Sequence, residues 1–217
     1  MKLKKAIVLG SSKGIGKAIA DQLSYLNLDV TRTSSKILDT SNITRVKNFI
    51  KKYKNTDILV LNTGGPPPVE FKKVTEKQWL KYHNQLFLSF CIFLQKMIIN
   101  KGGYIFLITS FNIKEPNPKL VLSNSYRVAF TSIFKTLSVE FAKKKISCIN
   151  IAPGPIKTKR LYSLVKNMKA FEKKLPMGRA GNPEEIGLFV KSIVENDIKY
   201  LSGATINFDG GKSSFIF

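Results

Sequence analysis

Short apolar runs alternate along this chain with longer stretches in which apolar residues return every three or four positions. The run AIVL at residues 6–9 is too short for a helix and suits a strand buried on both faces. Residues 15–25 carry helical spacing, and residues 28–33 read as a second strand. A further apolar pair, Ile37 and Leu38, ends at Asp39 after a short polar link. Adjacent parallel strands need a crossover of about a dozen residues or more, so the usual helix is missing here and one edge strand is short or irregular. Residues 43–53 then predict a helix and 57–62 a strand, and the GGPPP segment at 64–68 forces a loop. A long helix is expected over 76–101, ended by Gly102 and Gly103. Next come a strand at 104–109, a helix at 120–144 and a strand at 146–151. Pro153, Gly154 and Pro155 break the chain, and a basic stretch runs to Lys174. A helix at 183–195 and a strand at 205–208 finish the pattern.

This alternation predicts an α/β fold: a doubly wound parallel sheet flanked by helices, with its ligand at the carboxyl ends of the strands. The sheet should be shortened around its second and third strands. A chain of 217 residues suits one domain, residues 1–217, with a large core.

Between the first strand and the first helix stand Gly10, Gly14 and Gly16. At these places Gly10 allows a sharp turn, Gly14 lets backbone N–H groups approach a pyrophosphate, and Gly16 lets the helix pack close to the strand. Set between strand and helix, the triad points to a dinucleotide site.

Charge changes the picture less than its size suggests. The formal net charge is +22, from 31 lysines and 5 arginines against 14 acids. Lysine scattered along the whole chain describes a solvated surface, whereas nucleic-acid readers gather arginine and aromatics on one face. No specific nucleic-acid function is expected, although the field favours acidic partners or phosphate-bearing substrates. Cys91 and Cys148 lie far apart in apolar stretches with one histidine, His83, in the chain, so buried thiols are expected and no metal. The opening MKLKKAIVLG breaks too early for a leader, and the apolar stretch 86–94 is far shorter than the roughly 20 residues a bilayer helix needs. A cytoplasmic protein without a membrane partner is expected.

With these landmarks in order, the chain resembles the short-chain dehydrogenase/reductase family over essentially its whole length. The resemblance implies a Rossmann-type fold. GSSKGIG, with Ser12, Lys13 and Ile15 among its glycines, matches the family's first glycine motif. NTGG at 62–65 stands where the family usually has NNAG, which implies that Asn62 and Gly64 lie beside the adenine ribose. Pro153, Gly154 and Thr158 match the loop that flanks the nicotinamide. The tail, PMGRAGNPEEIG and then LSGATINFDGG, resembles that of bacterial 3-oxoacyl-acyl-carrier-protein reductases.

The family's active site is an Asn, Ser, Tyr, Lys set, with Tyr and Lys spaced YxxxK. A tyrosine hydroxyl near pKa 10 is a poor acid or base at neutral pH, and a lysine one turn away lowers that value. Ser110 matches the family serine, but the tyrosine position falls on Ser123 and the lysine position on Arg127. Tyr126 comes three residues late, displaced by about 4.5 Å and rotated by about 60° on a helix, and is considered as a displaced proton donor. Arg127 is read as a cation holding ribose hydroxyls. The family asparagine falls on Leu86, or on Gln85 if the register slips by one. The true YxxxK string, Tyr162 to Lys166, lies in the region that covers substrates in this family and is set aside.

Where relatives that prefer NAD carry an acid after the second strand, this chain has Thr31, Arg32, Thr33 and Ser34. An arginine with hydroxyl neighbours suits a 2′-phosphate, and Lys13 matches the basic position of NADP-using relatives, so NADP(H) is expected over NAD(H). Asp39 is expected to face the adenine. Two functions follow: an NADP(H)-dependent oxidoreductase acting on a small carbonyl or alcohol with a degenerate active site, or a catalytically silent dinucleotide-binding protein. The helix at 120–144, the helix before it and the ending Phe215, Ile216 and Phe217 resemble surfaces through which the family forms dimers and tetramers, so a homo-oligomer is expected.

Overall fold

The structure, a computed structural model, describes residues 3–216. Its centre is a parallel sheet of six strands: β1 (Lys5–Val8), β2 (Asp29–Arg32), β3 (Asn55–Leu61), β4 (Ile98–Ile108), β5 (Ser147–Pro153) and β6 (Thr205–Phe208), in the order β2-β1-β3-β4-β5-β6. Every pairing is parallel. Parallel strands covered on both faces need apolar residues at successive positions, and that accounts for the unbroken apolar runs. Ile7, Leu59, Leu61, Ile105 and Leu107 face one layer, which holds α2 (Ile43–Lys52), α4 (Ser89–Lys96) and α5 (Val121–Ala142). Their neighbours Ala6, Val8, Ile58, Val60, Tyr104 and Phe106 face the other, where α1 (Gly14–Ser24) packs against α8 (Pro183–Glu195). The Cys148 thiol is buried in the first layer, and burial pushes it up to about 12, so it behaves as an inert apolar group.

Three expected elements differ. Ile37 and Leu38 form no strand: Leu38 donates its amide to Ser34 O at 2.7 Å in a turn, and its side chain fills the core. The short edge strand is β2 itself, and the crossover after it is α2. The long helix expected over 76–101 is three pieces: α3 (Glu76–His83), a π turn (Asn84–Leu88) and α4, which stops at Lys96. Gly102 and Gly103 do not end it. They lie inside β4, whose first residues pair as Asn55↔Ile98 and Thr56↔Ile99 before the register shifts. A Cβ at Gly103 would stand 2.2 Å from Asp57 O, so the strand passes its neighbour too closely for any side chain. The basic stretch after β5 folds into α6 (Lys159–Leu164) and α7 (Met168–Glu172). The chain's ending folds back on the segment after β4: Ser214 is held by Glu115, and Lys114 Nζ stands 4.6 Å from the centre of the Phe215 ring. Phe217 lies outside the described residues.

Asp57 fastens this irregular corner. Its carboxylate accepts the Lys4 and Lys5 amides at 2.7 and 2.8 Å and Asn100 Nδ2 at 2.7 Å. Burial works to raise its pKa, but the Asn100 and backbone hydrogen bonds outweigh it and hold the group below the ordinary carboxylate range. A depressed folded pKa contributes stability that is present above the unfolded value near 3.9 and lost as pH falls through the folded value. Asp57→Asn is therefore expected to cost about 2 kcal/mol at neutral pH, with the gap to the parent closing below about pH 4. Urea unfolding across pH checks it, and a gap that is constant with pH would contradict the assignment.

Candidate active site

A cavity of about 790 Å³ opens at the carboxyl ends of β1, β3, β4 and β5. Its floor is the glycine turn after β1, the NTGG segment after β3 and Ser110 after β4, and one wall is the start of α5. Leu161, Leu164, Val165 and Phe171, from α6, α7 and the link between them, supply an apolar roof. The structure therefore gives the lysine-rich stretch after β5 a function as cover.

The glycine turn is shaped for close approach. Gly10 has φ +60°, and a Cβ on Gly16 would stand 2.4 Å from Gly10 O, so α1 begins almost in contact with the end of β1. Asn62 holds this turn from β3, donating Nδ2 to Leu9 O at 3.1 Å and to Gly10 O at 3.2 Å. The start of α1 carries no side-chain cap and no acid in its first turn. By contrast, α2, α3 and α8 are capped by Asn42, Thr75 and Asn182. Free N–H groups, the positive end of the helix dipole and a turn without Cβ atoms fit the diphosphate of a dinucleotide. Lys13, Gly14, Ile15, Gly64, Pro153, Gly154 and Thr158 also line the cavity, and a Cβ on Gly14 would meet Thr158 Cγ2 at 3.2 Å. The residues present thus fit a bound dinucleotide.

Several residues read from the sequence as cofactor contacts are not among those lining this cavity. Ser12 and Arg32 are exposed and do not line the cavity. Arg32 pairs with Asp21 at 2.5 Å and donates to Ser24 Oγ at 3.1 Å. Thr33 is buried in the turn, where Oγ1 accepts the Gly10 amide at 3.0 Å. Ser34 closes the next turn, and Asp39 accepts from the Ser41 amide at 2.9 Å and hydroxyl at 2.8 Å.

The reacting end is built around Arg127. It is 9% exposed, and Nε donates to Ser123 Oγ at 3.2 Å, Nη1 to Ile108 O at 2.9 Å and Nη2 to Thr63 O at 3.4 Å. Burial first, and then the charge of Arg160, pull its pKa down to about 10, which leaves it cationic at neutral pH. Ser110 and Ser123 both line the cavity. Ser110 Oγ accepts the Asn112 amide at 3.2 Å and Ser123 Oγ accepts from Arg127, so neither hydroxyl hydrogen is committed to a described acceptor. Tyr126 does not join them. Its hydroxyl donates to Trp79 O at 3.0 Å, its ring packs edge-on against Trp79 and His83, and burial raises its pKa. One residue along a helix is a rotation of about 100°, enough to turn Tyr126 away from the wall that Arg127 faces. Tyr162 of the YxxxK string is 54% exposed and faces away from the cavity that Leu161 lines.

Two participants were missed or left open by sequence. Gln85 sits in the π turn, which inserts the single residue of slip between the two registers considered. It donates to Gly64 O at 2.7 Å, while Leu86 is buried in the core. Arg160 reaches from α6 to donate to Pro66 O. The clue was scarcity: this chain uses 5 arginines beside 31 lysines, and two of the five meet here. Among the described residues no group of His, Cys, Asp and Glu could hold a metal ion, and no helix is long and apolar enough to cross a membrane.

Comparison with known proteins agrees with this architecture. The family described as enoyl-(acyl carrier protein) reductase matches residues 37–213. The 3-oxoacyl-[acyl-carrier-protein] reductase of Buchnera aphidicola subsp. Baizongia pistaciae is 28% identical, with 96% of each chain covered. Its counterpart from Rickettsia prowazekii is 27% identical at the same coverage. Among solved structures, YwfH, an NADPH-dependent reductase involved in bacilysin biosynthesis, has a TM-score of 0.84 at 21% identity, covering 99% of this chain and 100% of that one. A 3-oxoacyl (acyl-carrier-protein) reductase from Agrobacterium tumefaciens C58 with NADP bound has a TM-score of 0.83 at 22% identity, covering 96% and 93%. The chain belongs to the short-chain dehydrogenase/reductase superfamily and is similar to its 3-oxoacyl-[acyl-carrier-protein] reductases.

Proposed function

We propose that this chain is an NADP(H)-dependent oxidoreductase that interconverts a small carbonyl compound and its alcohol, of the 3-oxoacyl reductase kind, with Ser123 and Arg127 where the family has tyrosine and lysine and Ser110 where it has serine. The observation that carries the reading is the pair of uncommitted hydroxyls, Ser110 on the floor and Ser123 on the wall of one cavity that the Arg127 cation also lines. Bound nicotinamide supplies the hydride in one direction and accepts it in the other. The two hydroxyls offer their hydrogens to the carbonyl oxygen as charge develops there, in a site that the apolar roof keeps poor in water. Arg127 supplies a fixed positive field behind Ser123 rather than a proton. A serine hydroxyl is a weak acid, so the proton that completes the alcohol comes through water from the open side of the cavity.

A second reading, a silent dinucleotide-binding protein, is favoured by a specific observation: no tyrosine is among the described residues that line the cavity, and the Tyr126 hydroxyl is held by Trp79 O. The two readings separate by single-turnover absorbance of NADPH with a panel of ketones and 3-oxoacyl thioesters. Oxidation that falls about 100-fold in Ser110→Ala supports the enzyme. No oxidation by the parent, with turnover created in Ser123→Tyr/Arg127→Lys, supports the silent protein.

The choice of NADP(H) rests on Lys13, exposed at the mouth of the glycine turn, and on Arg32 at the end of β2. Arg32 shares its charge with Asp21, but Lys17 also pairs with that carboxylate, so the three side chains keep a net positive charge. Lys13→Ala/Arg32→Ala is expected to weaken NADPH binding about tenfold or more and to leave NADH binding nearly unchanged. Fluorescence titration of the nicotinamide measures both. Tighter binding of NADH than of NADPH by the parent would overturn the assignment.

A further inference from the structure

Five cations line the cavity, Lys13, Arg127, Lys159, Arg160 and Lys212, against one acid, Glu115. Glu115 is already engaged by the Ser214 hydroxyl at 2.8 Å. Lys13 belongs to the glycine turn, at the end of the cavity away from Ser110 and Ser123, where the cofactor is proposed to sit. Arg127 and Arg160 stand at the reacting end, both donating to carbonyls of the segment after β3, Thr63 O and Pro66 O, and the charge of Arg160 lowers the pKa of Arg127. Neither makes an ion pair with any described residue; of the three arginines on the outer surface, Arg32 and Arg179 pair with Asp21 and Glu185 and Arg45 stands exposed to water. Arg127 is committed through all three nitrogens to neutral oxygens. Arg160 spends only Nη2, on Pro66 O, and its Nε and Nη1 donate to no described group. Its guanidinium packs over Gly65, where a Cβ would stand 3.6 Å from Nη2, at van der Waals contact. Two neighbouring guanidinium groups drawn from water without a counter-charge repel one another and lose hydration, a cost that an anion entering the cavity relieves.

We infer that the substrate carries a negatively charged group, a carboxylate or a phosphate, besides its reacting carbonyl, and that Arg160 receives it through its free Nε and Nη1. A planar fork with two adjacent free donors matches both anions, which a lysine ammonium would meet as a point charge. Arg160 then acts as a specificity residue: it positions the substrate by its charged end, while Ser110 and Ser123 meet the carbonyl. The inference rests on the proposed reductase reading for the identity of the carbonyl, and on the cavity alone for the anion.

The test compares ligands that share a carbonyl and differ in charge. Acetoacetate against methyl acetoacetate probes a carboxylate, and dihydroxyacetone phosphate against dihydroxyacetone probes a phosphate. Each is titrated calorimetrically into the protein, alone and loaded with NADP⁺, where no turnover occurs. At least one anion should bind more than tenfold tighter than its neutral partner, and the stronger pair names the anion. In Arg160→Gln that preference should vanish while NADP⁺ affinity stays within about twofold. Equal binding within both pairs, a preference that survives in Arg160→Gln, or no binding of any probe would each overturn the inference. A Gln variant that loses NADP⁺ affinity instead would overturn it too, assigning Arg160 to the cofactor. Intact anion preference with no NADPH oxidation would sink the reductase reading and leave the inference standing.

Discussion

The carbonyls of Thr63, Gly64 and Pro66 leave the sheet after β3 with no strand to receive them, and much of the site serves to satisfy them. A buried carbonyl without a donor costs free energy comparable to a lost hydrogen bond. Three side chains from three different elements supply the donors: Arg127 from α5 to Thr63 O, Gln85 from the π turn to Gly64 O, and Arg160 from α6 to Pro66 O. Asn62 does the converse one residue earlier, sending its amide to the glycine turn after β1. The segment after β3 is therefore the place where the glycine turn, the helix wall and the cavity roof are tied together. A lysine at position 127 has donors too, but they diverge from one point. The flat guanidinium reaches Ser123, Ile108 and Thr63 at once, which suits a site where the neighbours are carbonyls.

The same tie limits what the site can do as chemistry. A residue held through all three nitrogens is rigid, and it fixes Ser123 with it. That is good preorganisation for a developing oxyanion and poor design for moving protons. The groups whose geometry fits a dinucleotide are Gly10, Gly16, Asn62 and the bare start of α1, none of which touches Ser123 or Arg127 among the described bonds. The proposed binding and proton-handling roles thus fall on separate groups, so a change at one leaves the geometry of the other in place.

Much of this was legible in the sequence, because the dominant force there is local. Apolar runs and glycine positions set the strands, the turn after β1 and the helix that follows, and the chain joins the strands in the parallel sheet expected. What escaped reading depends on contacts between distant residues. Gly102 and Gly103 look like a helix end, yet they serve the approach of β4 to Asp57, set by a register shift that no local pattern encodes. The π turn at Asn84–Leu88 has no signature of its own in the sequence, and it alone decides that Gln85, not Leu86, meets the NTGG segment. Tyr126 was a candidate on spacing alone, and its side chain was captured by Trp79 on a neighbouring helix. Arg160 sits in a stretch whose lysines conceal it, and its importance appears only when α6 folds over Gly65.

Charge shows the same division between bulk and site. The +22 of the whole chain is spread over surface lysines, where water and salt screen each one within about 10 Å at ordinary ionic strength. A field of that kind steers anions toward the molecule without choosing among them. Inside the cavity screening is weak, and two guanidinium groups without a carboxylate weigh more than many exposed ammonium groups. Selection of the ligand then depends on geometry: Arg127 has its nitrogens turned to neutral oxygens, and Arg160, which lines the cavity, keeps an edge, Nε and Nη1, that donates to no described group. The lysine-rich surface gathers, and the arginine with the free edge discriminates.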